Sequence, residues 1–343
     1  MIDQFVRRAR NTVCVVAIAA AFMVPAGAVA APKVVVTLLP IHSLVASVMQ
    51  GVAEPGLLVK GAASPHAYAL RPSDARMVAG ADLIVWVGPD LESFFGKTVE
   101  SLGAGKRVLE LGHDAGLKIL PVREGGDWEV HDHGHDDHGD DDHGHDDHAH
   151  DDDDHGHDDH GDDDHGHGHE AGDLHVWLDP GNARKIVAYT VKVLSEVDPD
   201  NAARYAENGA RTAARLDGLD TELGQALAPV RGRPYVVFHD AYQYFERHYR
   251  LNALGSVTAS PDRTPGARRL AQIRGKLTRL DAACVFSEPQ FRPAIVDTLI
   301  EGTDVKTGVL DPLGHDLTAG PDAYFALMRR LADSLRTCLA PAS

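Results

Sequence analysis

The sequence predicts an α/β protein: two α/β lobes joined by one long rigid helix, a metal site in the interlobe cleft, and a disordered His/Asp-rich loop in the first lobe. Three observations carry this. Short apolar runs alternate with helical patterns in both halves of the chain, as in parallel-sheet proteins. Residues 200–228 lack strand signals and contain no proline, and Pro199 and Pro229 bound them. Residues 131–169 contain 14 His, 17 Asp, 7 Gly and 1 Ala, with no apolar side chain larger than a methyl; such a stretch cannot offset the entropy of ordering by burial.

The elements follow in order. Arg7, Arg8 and Arg10 precede a short apolar core, Val13–Val24, and the small-x-small site Ala28-Val29-Ala30. That is the pattern of a cleaved export signal over residues 1–30, with the mature chain starting at Ala31. The apolar core is too short to span a bilayer comfortably. Val34–Leu38 reads as a strand, Ile41–Met49 as a helix and Leu57–Val59 as a second strand. Arg71-Pro72-Ser73-Asp74 opens a helix, Asp82–Val87 is a buried strand, and Leu91–Leu102 is a helix. The metal-binding loop is expected over 123–173, and an amphipathic helix over Asn182–Val197 closes a first lobe of residues 31–198. Tyr205, Leu216, Leu219, Leu223 and Leu227 recur at helical spacing in the connecting helix, 199–229. In the second lobe, 230–343, strands are expected at Tyr235–Phe238, Ala282–Phe286 and Val305–Val309. Helices are expected at Tyr242–Tyr249, Pro265–Leu277, Pro293–Ile300 and Pro321–Leu339. A long connecting helix predicts limited lobe movement, not a wide hinge closure.

The formal charge of −18 belongs to the tract. Outside it, 34 acids face 33 bases, so no nucleic-acid surface is indicated. The tract's imidazoles are His131, His133, His135, His138, His143, His145, His148, His150, His155, His157, His160, His165, His167 and His169. Crowded among carboxylates, they are expected to bind several divalent transition-metal ions weakly. Signal cleavage leaves two cysteines, Cys284 and Cys338, and an even pair in an exported protein points to a disulfide. Closing that loop stabilises by roughly 4 kcal/mol in the chain-entropy model.

Seven histidines lie outside the tract: His42, His66, His113, His175, His239, His248 and His315. His239 ends the run Val236-Val237-Phe238, His175 begins His-Val-Trp-Leu-Asp-Pro, and His66 follows the Leu57–Val59 run. In open α/β sheets, ligands bind beyond the carboxyl ends of strands. Two facing lobes would therefore bring these three imidazoles to one cleft. Neutral imidazole suits Zn²⁺, and three leave one tetrahedral position for a carboxylate or water. Asp311, Glu288 and Asp240 are the carboxylate candidates. His42 reads as a supporting or local capping group, His113, His248 and His315 as structural or surface groups, and Tyr68 and Trp177 as cleft packing.

The segments GAASPHAYALRPSD (61–74), ADLIVWVGPDLE (81–92), HVWLDP (175–180), VVFHDAYQYFE (236–246), SEPQFRP (287–293) and LDPLG (310–314) resemble the zinc-specific solute-binding proteins of bacterial ABC transporters, the ZnuA type. The likeness runs in order over nearly all of the mature chain. It implies periplasmic capture of Zn²⁺ by a non-enzymatic, monomeric protein that delivers the ion to an inner-membrane ABC permease. It implies His66, His175 and His239 as ligands. Where some members place a ligating Glu before the first histidine, this chain has Pro65. Asp311 matches an aspartate ligand of relatives, with water as the alternative, and the two cysteines match a disulfide pair. Manganese-type relatives carry a carboxylate at the position of His239, and manganese prefers oxygen-rich sites. Two competing readings are a metal-storing or adhesive protein and a zinc hydrolase. The chain has no HExxH motif and no serine nucleophile elbow.

Overall fold

The computed structural model describes residues 30–123, 128, 172–258, 266–279, 281–291 and 294–341. The signal segment and the tract's 14 histidines lie outside these residues. The first lobe runs β1 (Val34–Val36), α1 (Leu39–Met49), β2 (Gly56–Leu57), α2 (Pro72–Ala79), β3 (Leu83–Trp86), α3 (Ser93–Leu102), β4 (Arg107–Glu110) and the short α4 (Leu111–Asp114). A two-stranded stem, β5 (Leu120–Pro121) and β6 (Gly172–Asp173), leads to α5 (Pro180–Val197) and α6 (Ala202–Leu227). The second lobe comprises β7 (Pro234–His239), α7 (Gln243–Tyr249), β8 (Asn252–Thr258), α8 (Ala267–Arg279), β9 (Cys284–Ser287), α9 (Ala294–Ile300), β10 (Lys306–Val309) and α10 (Ala323–Leu339).

Each lobe holds a four-stranded parallel sheet, ordered β2-β1-β3-β4 in the first and β10-β9-β7-β8 in the second. Val34, Val35 and Val36 are all buried, as are Leu83 to Trp86. Continuous apolar runs are what a parallel sheet covered on both faces requires. The strand expected at 57–59 is shorter as a regular element, but the Leu58 and Val59 N–H groups still donate to Val36 and Thr37 carbonyls at 3.0 and 2.9 Å. β4 and β8 were not expected. Arg107–Glu110 is a short edge strand with one buried residue, and Asn252–Thr258 carries Asn and Gly; neither shows a strong apolar run.

The proline-bounded stretch is helical throughout, with a single 3-10 turn on each side of α6. Its buried stripe includes Tyr205, Leu216, Leu219, Leu223 and Leu227. α6 packs against α5, α1 and α10. A Cβ on Gly209 would lie 2.4 Å from Val191 Cγ2, so only glycine admits this approach of α5. Asn208 donates to the Val48 and Gln50 carbonyls, both at 2.8 Å, satisfying groups at the end of α1 that no helical partner reaches. The second lobe's last helix returns to the first: the Tyr324 N–H donates to Ser43 Oγ at 2.9 Å and Ser47 Oγ to the Pro321 carbonyl at 3.0 Å. One hydrophobic core thus includes residues of both lobes, α5 and α6. Cys284 and Cys338 form a disulfide that joins β9 to α10.

The expected loop 123–173 is corrected at its far end. Gly172 and Asp173 pair antiparallel with Pro121 and Leu120, and Asp173 is buried. Among the described residues, no helix is long and apolar enough to cross a membrane.

Candidate metal centre

The carboxyl end of β7 supplies His239, its last residue, 4 % exposed. The chain then turns, with the Ala241 N–H donating to the His239 carbonyl at 2.9 Å, and enters α7. His175 follows the stem strand β6 and heads the 3-10 turn Val176–Leu178. Pro180 in the first turn of α5 and the Asp179 carboxylate, which accepts from Gly181 N at 2.6 Å, then start the helix. His66 sits on the turns between β2 and α2. There its N–H donates to Ser64 Oγ at 3.3 Å, and Asp74 closes the loop by accepting from Arg71 N and Tyr68 Oη, both at 2.9 Å. Burial raises the Asp74 pKa, but these bonds and one from Ser73 outweigh it and hold the carboxylate below its usual range.

The three rings converge. Their centroids are 5.7 Å (His66–His175), 5.9 Å (His66–His239) and 5.3 Å (His175–His239) apart. One nitrogen from each lies within 4.8 Å of the other two. The Nε2 atoms of His175 and His239 are 3.4 Å apart. Two nitrogens about 2.0–2.1 Å from one tetrahedral ion are about 3.3–3.4 Å apart, so this spacing is that of a zinc edge.

Carboxylates fix which nitrogen faces inward. His175 Nδ1 donates to Asp173 Oδ1 at 2.8 Å, and His239 Nδ1 to Glu288 Oε1 at 2.6 Å. Each Nε2 is thereby left as the acceptor atom, as in carboxylate-supported metal sites. Asp173 and Glu288 are buried, so two negative charges stand behind the two rings, matching a dication. Burial pulls the His239 pKa down, but the Glu288 carboxylate outweighs it and the net shift is upward. The rings border a cavity of about 10 Å³, lined also by Trp177, Gln290 and Phe291. A cavity of that size suits a small ion rather than an organic ligand.

Asp311, expected as the fourth ligand, is not brought into this group. It clusters instead with His315 and Asp316. Its oxygens accept from Gln290 Nε2 at 2.8 Å, Leu313 N at 3.1 Å, and His315 N and Nδ1 at 2.7 and 2.8 Å; that carboxylate is already saturated. Asp240 turns away to Arg123. Glu288 supports His239 from behind. His42 Nε2 binds the Pro55 carbonyl at 2.9 Å, away from the three rings. His113 and His248 pair with Asp114 and Asp220. Trp177 packs on His175 with ring centroids 5.4 Å apart and donates to the Pro312 carbonyl. Asp173 escaped the sequence reading, although its position two residues before His175 is a local signal for a side-chain contact.

A family model for the periplasmic component A of the zinc-uptake complex, ZnuA, matches residues 34–338. The chain belongs to the ZnuA family. A ZnuA relative, the high-affinity zinc uptake system protein of Brucella abortus (strain 2308), is 52 % identical over 306 residues, covering 89 % of this chain and 91 % of its own. The ZnuA protein of Yersinia pestis is 36 % identical over 317 residues, covering 90 % and 92 %. In fold, the chain is similar to a crystal structure of ZnuA, with a TM-score of 0.69 at 21 % identity over 90 % of this chain and 100 % of that one. The ZnuA family is one of solute-binding proteins, and its component A is periplasmic.

Proposed function

We infer that this protein captures Zn²⁺ in the periplasm with high affinity and passes it to an inner-membrane ABC permease. Its ligands are His66, His175 and His239, with water in the fourth position. The observation that carries the ligand reading is the 3.4 Å separation of two Nε2 atoms whose rings are each held from behind by a buried carboxylate. Two lone pairs facing each other at that distance repel unless a proton or a cation lies between them. A dication satisfies both, and the charges of Asp173 and Glu288 balance it. Family membership supports zinc as the cargo, and three imidazoles favour zinc over manganese. The protein acts by binding, and Asp311 stays outside the coordination sphere.

Titration calorimetry on protein lacking residues 131–169 tests this. One tight zinc per molecule is expected, and anomalous scattering at the zinc edge should place it against the three rings. A tight site that vanishes with the tract, or zinc bound at Asp311 and His315, overturns the assignment.

A further inference from the structure

The stem from which the tract departs does more than lead the chain out. The Leu120 N–H donates to Tyr244 Oη at 2.9 Å, and Tyr244 Oη donates to the Asp173 carbonyl at 2.6 Å. One hydroxyl of α7 therefore bridges both strands of the stem. Gln243 Nε2 adds a bond to the Pro121 carbonyl at 3.1 Å. Beyond β5, Arg123 donates to both oxygens of Asp240 and, at 2.7 Å, to Glu246 Oε2, while its guanidinium stacks on Trp128 at 3.4 Å. Tyr244, Gln243, Asp240 and Glu246 belong to the segment that begins with His239. The bonded residue on the stem, Asp173, is the one that orients the His175 ring.

We propose that Tyr244, with Arg123 beside it, is a positioning residue of the zinc site: it straps the stem strand that orients His175 to the turn that carries His239, and so sets the spacing of the two rings. Along the chain, the path between these ligands runs through the whole of α5, α6 and β7. The strap shortens it to Asp173, Tyr244 and the five residues back to His239. Tyr244 is 1 % exposed, so water cannot replace its two bonds. Arg123 makes a planar, two-pronged contact that lysine cannot copy.

The test uses full-length protein lacking only residues 131–169, so that weak sites do not obscure the reading. Zinc affinity is measured by chelator competition, the Co²⁺ ligand-field spectrum reports ring geometry, and metal-free melting reports stability. Tyr244→Phe is expected to lose zinc affinity about 10–100-fold, the range for groups that orient a ligand from behind, with shifted Co²⁺ bands. Arg123→Lys is expected to lose less in the same direction, and it decides the matter if Tyr244→Phe fails to fold. Unchanged affinity and spectrum overturn the proposal, even if melting falls, because a merely structural hydroxyl would move only the melting. The inference rests on His175 and His239 being ligands, and His239→Ala in the same series separates the two failures. If His239→Ala keeps tight zinc, the ligand assignment is wrong; if it loses tight zinc while Tyr244→Phe does not, the strap alone is wrong.

Discussion

His175 and His239 are held differently from His66. The first two are buried, share carboxylate backing, and are linked through the stem and α7. His66 is half-buried and rides on a loop of turns that Asp74, Tyr68 and Ser64 shape. The pair has its inward nitrogens fixed before any ion arrives, which cuts the ordering cost of binding. The third ring, His66, is carried by the turns between β2 and α2, and in the reading proposed above it completes the coordination.

The largest effect expected of a single change is on the pair. His239→Ala should weaken the tight site by at least about a thousandfold, or ~4 kcal/mol, in calorimetry of the tract-deleted protein. It also leaves Glu288 buried without its imidazole, so metal-free stability should fall by about 1–3 kcal/mol. His66→Ala should cost comparable zinc affinity but little metal-free stability; equal melting losses for the two variants would break the contrast. Glu288→Gln or Asp173→Asn should lower zinc affinity about 10–100-fold, while Asp311→Ala should change it less than about threefold. A loss with Asp311→Ala as large as with His66→Ala would make Asp311 the fourth ligand.

Acidity separates the loaded and metal-free proteins. Because the His239 pKa is raised, its charged pair with Glu288 adds stability that is complete below about 6.5 and is lost as pH rises through the elevated folded value. Zinc takes only the neutral ring, so its contribution runs the other way. The gap between melting temperatures with and without zinc should widen from about pH 6 to about pH 8. A gap that is constant over this range contradicts proton competition at the site. The smallest functional effect is expected from the cysteines. Replacing both Cys284 and Cys338 by Ser should cost about 4 kcal/mol of stability in the loop-entropy view, with zinc affinity of the folded protein unchanged, because the disulfide lies between β9 and α10 rather than at the rings.

Both sheets were legible where strands are buried on two faces, as at Val34–Val36, Leu83–Trp86 and Tyr235–Phe238, since such strands read as unbroken apolar runs. The long helix was legible from its flanking prolines and leucine spacing. The strands β4 and β8 were not, because β4 has a single buried residue and β8 opens on exposed and half-buried positions and carries Asn and Gly, so neither reads as an unbroken apolar run. Three rings at strand ends were legible as candidates through position and resemblance. Their partners were legible only in part: Glu288 stood among the carboxylate candidates, but whether it meets the ion or the back of an imidazole depends on the register of β9 against β7. The saturation of Asp311 by Gln290 and His315 depends on how one loop folds back on itself, which no spacing encodes. Tyr244 looks in the sequence like one more aromatic on a short helix; its bridging hydroxyl exists only because the stem folds against α7.

α6, 26 residues long, spans about 39 Å and touches helices from both halves of the molecule. A clamshell opening would have to tear those contacts together. With His66 as a ligand, as inferred above, the turns that carry it are the short segment that can shift without breaking those contacts. Spontaneous escape of the ion is then expected to be slow, which a metal-exchange rate measured against a chelator would check.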